Sequence, residues 1–171
     1  MFLDRDGTIN VGPEAGRYIR DADQLELLPG AAEAIRAIND SDALAVVISN
    51  QRWLSSPGVS PDAYRAIDER LRLLLSKQGA HLDACFVCPH QIGKCDCRKP
   101  APGMLLRAAE DFGLDLCSSV AVGDSPCDVA AGRAAGTRCV RLSQGQPQPE
   151  AAMPAPDRVF ASLGEAVEWA I

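Results

Sequence analysis

Ala43-Leu44-Ala45-Val46-Val47-Ile48 is an unbroken apolar run that stops at Ser49-Asn50-Gln51. A run rich in valine and isoleucine, with no polar residue alternating through it, marks a strand of a parallel sheet, because such a strand is covered on both faces. Upstream, Pro29-Gly30 opens a helix with Ala31, Ala34, Ile35 and Ile38 on one face, and Asn39-Asp40-Ser41-Asp42 closes it. Downstream, Ser60-Pro61-Asp62 is a helix start. Tyr64, Ile67, Leu71, Leu74 and Leu75 form its buried stripe, and the helix reaches about Gln78. Residues 84–87 read as a further strand. Pro102 starts a helix with Leu105, Leu106, Ala109 and Phe112 inward and Gly113 as its stop. Residues 119–122 are a strand ending at Gly123-Asp124, 129–135 a helix, 138–142 and 158–160 strands, and Ser162 caps a last helix carrying Leu163, Ala166, Val167 and Ala170. Strands alternating with helices give an α/β fold, a Rossmann-like parallel sheet with helices on both faces and right-handed crossovers. Residues 9–28 are irregular, and 143–157, rich in Gln, Pro and Ala, read as a loose surface segment.

The chain of 171 residues is expected to form a single domain, residues 1–171. Hydrophobic residues make up 47% and charged residues 23%, values of a soluble globular protein. The net charge of −6 argues against nucleic acid as a partner. No apolar run is long enough to span a membrane, and there is no basic-then-apolar leader, so the expectation is a cytoplasmic protein with no membrane partner, acting as a monomer.

The first strand, either short or continued from upstream, ends in Phe2-Leu3-Asp4-Arg5-Asp6-Gly7-Thr8. Residues two apart in an extended segment point to one side, so Asp4 and Asp6 leave the strand together, and Gly7 permits a tight exit. Two close carboxylates repel unless a cation or a shared proton relieves them, and a hard divalent ion, magnesium, takes oxygen ligands. Ligands of parallel sheets bind beyond the carboxyl ends of the strands, near the switch in strand order. Asp4 with Asp6, Ser49 with Asn50, and Asp124 all fall at such ends. Each cluster alone has a plain structural reading: an acidic turn, a polar turn, a helix cap. Arg98-Lys99 alone could be a solvated pair, and Asp128 could orient Lys99 or the metal waters, or face solvent. The coincidence of three clusters on one edge favours a site.

That site has the chemistry of phosphate-ester cleavage. Asp4, the first carboxylate to leave the strand, is placed to attack phosphorus and form an aspartyl phosphate. Asp6 can protonate the leaving alcohol and then activate water. Asp4, Asp6 and Asp124 are the expected magnesium ligands, Ser49 and Asn50 the phosphoryl-oxygen donors, and Lys99 the opposing positive charge.

Four of the seven cysteines, at 85, 88, 95 and 97, crowd into one stretch. Cys88, His90, Cys95 and Cys97 offer three thiolates and an imidazole, a complete tetrahedral set for a structural zinc ion. Free thiols, or a bridge from Cys88 to Cys95 or Cys97, are the alternatives. Cys85 lies on the strand, and Cys117, Cys127 and Cys139 read as buried small apolar residues. Zinc here would fix residues 88–97, the loop that leads directly into Arg98 and Lys99.

Asp4-x-Asp6-Gly7-Thr8, Ser49-Asn50, Lys99 and Gly123-Asp124, in that order, resemble the four motifs of the haloacid dehalogenase superfamily phosphatases. Phe2 to Asn10, Ser49-Asn50-Gln51, Cys88-Pro89-His90 and the stretch from Cys95 to Met104 resemble, more narrowly, the heptose-bisphosphate and histidinol-phosphate phosphatases of that superfamily. The resemblance implies a magnesium-dependent phosphatase with an aspartate nucleophile, a zinc loop, no large cap domain, and a small phosphorylated sugar or metabolite as partner. It also implies that Arg98 helps hold the substrate. The heptose-bisphosphate branch is the first reading; a histidinol-phosphate or other small sugar-phosphate phosphatase, and an inactive phospho-ligand-binding protein, are the alternatives. Two stretches depart from the family pattern: Arg52-Trp53-Leu54-Ser55-Ser56-Pro57-Gly58 after Gln51, and Ser125, where relatives often carry lysine.

Overall fold

The computed structural model of the chain describes residues 1–14, 17–143 and 154–171. Residues 144–153, the larger part of the expected loose segment, lie outside these. Six strands form one parallel sheet: β1 (Phe2–Leu3), β2 (Val46–Asn50), β3 (Ala84–Cys88), β4 (Val120–Gly123), β5 (Arg138–Leu142) and β6 (Arg158–Phe160). Their order is β3-β2-β1-β4-β5-β6. The chain therefore winds outward from β1 in one direction, returns, and winds outward from β4 in the other. The gap beyond the carboxyl ends of β1 and β4 is the switch point, where open parallel sheets place their ligands.

The helices are α1 (Ala31–Asn39), α2 (Pro61–Ser76), α3 (Gly103–Phe112), α4 (Pro126–Ala135) and α5 (Leu163–Ala170). Short 3₁₀ turns occur at Ala22–Gln24 and Arg52–Ser55. Alternation along the strands splits the core in two. Leu3, Val47, Val122 and Val140 pack on one face against Ile35 and Ile38 of α1, Ile67, Leu71 and Leu75 of α2, and Ala166 and Val167 of α5. Phe2, Val46, Ile48 and Ala121 pack on the other against Met104, Leu105 and Ala108 of α3 and Ala131 of α4. Both faces of the sheet are thus covered, which is why 43–48 reads as an uninterrupted apolar run. No described helix is long and apolar enough to cross a membrane.

Several boundaries differ from expectation. β2 begins at Val46 rather than Ala43 and runs through Asn50, because its ladder starts opposite Phe2 on one side and Ala84 on the other. α4 begins three residues before the expected 129, at Pro126. Its first turn is closed by Asp128, whose Oδ2 accepts from the Ser125 N–H at 3.0 Å and from Ser125 Oγ at 2.8 Å. The inward stripe of α3 is Met104, Leu105 and Ala108; Leu106 and Phe112, expected inside, are exposed. Phe112 instead meets Phe86 edge to face at the rim of the sheet. Cys117, expected to be buried, is exposed in the turn before β4, whereas Cys139 is buried in β5.

Candidate active site

β1 ends at the centre of the sheet, and the Asp4 N–H donates to the Val122 carbonyl of β4 at 2.9 Å. The chain then turns sharply: the Arg5 carbonyl accepts from the N–H groups of Thr8, Ile9 and Asn10 at 3.3, 2.9 and 3.1 Å. Gly7 sits in this turn at φ +85°, a conformation that favours glycine. A Cβ there would lie 2.1 Å from Asp124 Oδ2, so glycine also lets the end of β4 come close.

Asp4, Asp124 and Asp128 gather at the switch point, with ligand oxygens all within 4.8 Å of one another. Asp128 is carried inward by the first turn of α4 and is 5% exposed; a Cβ on Gly123 would stand 2.3 Å from its Cγ. Lys99 enters from the loop before α3. Its buried ammonium meets Asp4 Oδ1 at 2.6 Å, Asp128 Oδ1 at 2.5 Å and the Ile48 carbonyl at 2.8 Å. Of the readings open for Asp128, facing solvent is ruled out by its burial, and the structure pairs it with Lys99.

The charges explain each other. Burial raises the Asp4 carboxyl to about 7, against the opposing pull of Lys99. Burial, with Asp128 adding, raises Asp124 to about 6. Burial alone would lower Lys99, but Asp128 and Asp4 together hold it above the ordinary lysine range. Three carboxylates facing one ammonium leave two formal negative charges in a buried place. A divalent cation with oxygen ligands would balance them, so the donor set fits magnesium.

Asp6 stands apart from this group. The expected metal trio included its carboxylate, but the carboxylates drawn together are those of Asp4, Asp124 and Asp128. The cause is the buried guanidinium of Arg5, which donates to both Asp6 oxygens at 2.9–3.0 Å. Asn10 Nδ2 adds a bond to Oδ1 at 3.0 Å and Gln51 Nε2 one to Oδ2 at 2.8 Å. The oxygens of Asp6 are thereby fixed in direction while the side chain still lines the cavity.

The remaining expected residues divide. Ser49 Oγ accepts from Gln51 Nε2 at 2.8 Å, which leaves its proton available to the cavity. Asn50 uses one donor and one acceptor on the backbone of Lys99, Nδ2 to the carbonyl at 3.0 Å and Oδ1 from the N–H at 3.1 Å. It holds the lysine as much as it faces a ligand. A cavity of about 200 Å³ opens over these groups, lined by Asp4, Asp6, Ser49, Asn50, Lys99 and Asp124, with Arg17 and Tyr18 at its mouth. Arg98 does not line it, and its buried Nη1 has no hydrogen-bond partner among the described residues. Sequence reasoning missed Gln51, Arg5 and Asn10 as the holders of Asp6. The one local signal was spacing: Gln51 stands two residues beyond Ser49 at a strand end, where side chains return to the same side.

Cys88, His90, Cys95 and Cys97 converge beside the site. Sγ–Sγ distances from Cys88 are 3.5 Å to Cys95 and 3.3 Å to Cys97, and His90 Nδ1 lies 3.6 and 3.3 Å from Cys88 and Cys97. These are far beyond a disulfide bond of about 2.05 Å. They approach the edges, about 3.8 Å, of a tetrahedron with ~2.3 Å metal–sulfur arms. The four residues therefore fit zinc. The loop packs on α3 through Gly103, where a Cβ would lie 2.5 Å from the Asp96 carbonyl oxygen.

A doubly wound parallel sheet with acidic residues and one buried lysine at its switch point, and no cap domain among the described residues, is the arrangement of the haloacid dehalogenase superfamily. A HAD-hydrolase-like family model matches residues 96–166. The D-glycero-beta-D-manno-heptose-1,7-bisphosphate 7-phosphatase of Pasteurella multocida is 34% identical over 96% of this chain and 92% of its own. The D-glycero-D-manno-heptose-1,7-bisphosphate 7-phosphatase of Thermosynechococcus vestitus is 36% identical over 99% and 93%. The D,D-heptose 1,7-bisphosphate phosphatase of B. bronchiseptica, solved with magnesium and phosphate, superposes with a TM-score of 0.86 at 31% identity, covering 99% of this chain and 96% of that one. The chain belongs to this family of phosphatases within the haloacid dehalogenase superfamily.

Proposed function

We propose that the protein removes the 7-phosphate of D-glycero-D-manno-heptose 1,7-bisphosphate in a magnesium-dependent reaction. The reading is carried by the undercompensated cluster of Asp4, Asp124, Asp128 and Lys99 at the switch point, in a chain 34% identical to a heptose bisphosphate phosphatase over 96% of its length. Asp4, Asp124 and Asp128 are the residues that would hold the metal, and magnesium supplies positive charge that screens Asp4 from an anionic substrate. An Asp4 oxygen attacks phosphorus and the bond from phosphorus to the sugar oxygen breaks. Asp6 gives its proton to that oxygen as it leaves. Asp6 then takes a proton from water, whose oxygen attacks the phosphorus of the aspartyl phosphate; inorganic phosphate departs and Asp4 is restored. Lys99 holds Asp4 in line, the Ser49 hydroxyl and the free N–H of Asn50 face the phosphoryl oxygens, and Arg98 contributes positive charge from beside the cavity. Zinc on Cys88, His90, Cys95 and Cys97 fixes the loop that delivers Arg98 and Lys99. Residues 1–171 act as one domain, in the cytoplasm, as a monomer.

Phosphate release with magnesium, measured side by side on heptose 1,7-bisphosphate and histidinol phosphate, tests the substrate. Fast release from the heptose with little from histidinol phosphate is the expected result. Faster release from histidinol phosphate, or release from neither, would overturn the assignment.

A further inference from the structure

Behind Asp6, away from the cavity, stand two buried side chains, Gln51 at 0% and Trp53 at 2% exposure. Gln51 Nε2 donates to Asp6 Oδ2 and to Ser49 Oγ, both at 2.8 Å, while its Oε1 accepts from Trp53 Nε1 at 2.7 Å. An indole N–H only donates, and the Asp6 oxygen that faces Gln51 is an acceptor. With its amide reversed, Gln51 would set Oε1 against the carboxylate of Asp6 and turn its NH₂ toward a group that cannot accept. Trp53 therefore selects the one orientation in which Gln51 donates to Asp6.

That donation differs in kind from the others Asp6 receives. Arg5 and Asn10 belong to the same tight turn as Asp6 and move with it. Among the described residues, Gln51 is the hydrogen-bond partner that ties the carboxylate to another element, the end of β2. Trp53 itself sits in the 3₁₀ turn Arg52–Ser55, which is pinned by the Leu54 N–H to the Gln51 carbonyl at 3.1 Å and by Ser55 Oγ to the Pro89 carbonyl at 2.5 Å.

We propose that Trp53 is a positioning residue that, through Gln51, holds the Asp6 carboxyl group, protonated for this step, where it can pass its proton to the leaving oxygen. The proposal rests on the reading of Asp6 as general acid. Its test compares kcat/KM, which reports steps up to release of the leaving group, on two substrates. From heptose 1,7-bisphosphate the leaving group is the sugar's 7-alkoxide, which needs the proton; from 4-nitrophenyl phosphate it is a phenolate, which does not. Trp53→Phe keeps an aromatic ring and removes the N–H. It is expected to lower kcat/KM on the heptose by about tenfold to a hundredfold, chiefly through kcat, and on the aryl phosphate by less than about twofold. Gln51→Met, which needs no change in the aromatic packing, should reproduce the effect, and the double variant should add nothing to either alone. Equal losses on both substrates, or additive losses in the double variant, would mean that Trp53 acts by packing and would overturn the proposal. Asp6→Asn is the control. If it leaves the ratio between the two substrates unchanged, the acid reading fails and the proposal with it. If it shifts that ratio by a hundredfold or so while Trp53→Phe and Gln51→Met do not, the positioning proposal alone falls.

Discussion

Asp4 illustrates how a single carboxylate can be costly to the fold and necessary to the chemistry. It is buried beside Asp128 and Asp124, and its charge is met mainly by Lys99. Asp4→Asn should therefore abolish turnover, by at least about a thousandfold, and leave the melting temperature unchanged or higher, because it removes one charge from an overcharged buried cluster. Retained activity would refute its role as nucleophile. Asn50 poses a different case. Sequence reasoning placed it correctly at the end of β2 and assigned its amide to the phosphate; the structure adds a second task, one donor and one acceptor to the backbone of Lys99. That pairing joins residues 49 apart in sequence, and no pattern at position 50 could reveal it. Asn50→Ala should cost about 1–2 kcal/mol in stability and lower kcat by displacing the lysine, measured by urea unfolding and steady-state rates. An unchanged kcat would confine Asn50 to a structural part.

At the scale of elements, the loop between β3 and α3 is the least self-sufficient piece of the molecule. Residues 89–102 contain no helix or strand, and Ile92 at its tip is 71% exposed. Its shape depends on the convergence of Cys88, His90, Cys95 and Cys97 and on the close contact of Gly103 with Asp96. Three sulfurs this close repel when ionised, so without a cation the set must stay partly protonated; burial pushes Cys97 up to about 12. The purified chain should carry one zinc ion by elemental analysis. Chelating it should lower the melting temperature and open residues 88–99 to proteolysis, with activity falling in step because Lys99 follows the last ligand by two positions. An unchanged melting curve in zinc-free protein would rule out a structural site. The Cys/His cluster was legible because its spacing is local. The start of α4 was missed although Ser125-Pro126 repeats the capping serine and first-turn proline of Ser60-Pro61: the apolar stripe begins only at Val129, and the first turn is closed by Asp128 folding back on Ser125 while also reaching Lys99.

For the molecule as a whole, alternation of apolar runs with helical stripes was enough to read a parallel α/β sheet and to put Asp4, Ser49 and Asp124 on one edge. Which strands are neighbours was not legible, since the order β3-β2-β1-β4-β5-β6 is set by how helices pack on each face rather than by any single strand. That order has an energetic consequence. β1 and β4 sit side by side at the centre, so the two uncompensated negative charges of Asp4, Asp124, Asp128 and Lys99 lie where both halves of the sheet meet. A cation bound there by all three carboxylates is bound only by the folded chain, because Asp4 is distant in sequence from Asp124 and Asp128 and is brought to them by β1 and β4. Linkage then requires magnesium to stabilise the entire fold: at a hundred times its dissociation constant the gain is about 2.7 kcal/mol. For a domain of this size that corresponds to a rise in melting temperature of roughly 5–10 °C. Thermal melts of the zinc-loaded protein across a magnesium titration should show this rise, saturating with the same midpoint as phosphatase activity. Asp124→Asn should abolish the rise, and Cys117→Ser, at an exposed position away from the cluster, should keep it. A melting temperature indifferent to magnesium, in protein whose activity depends on magnesium, would mean that the metal enters only with the substrate. The unbalanced charge at the switch point would then be relieved in the resting protein by protons rather than by a resident ion.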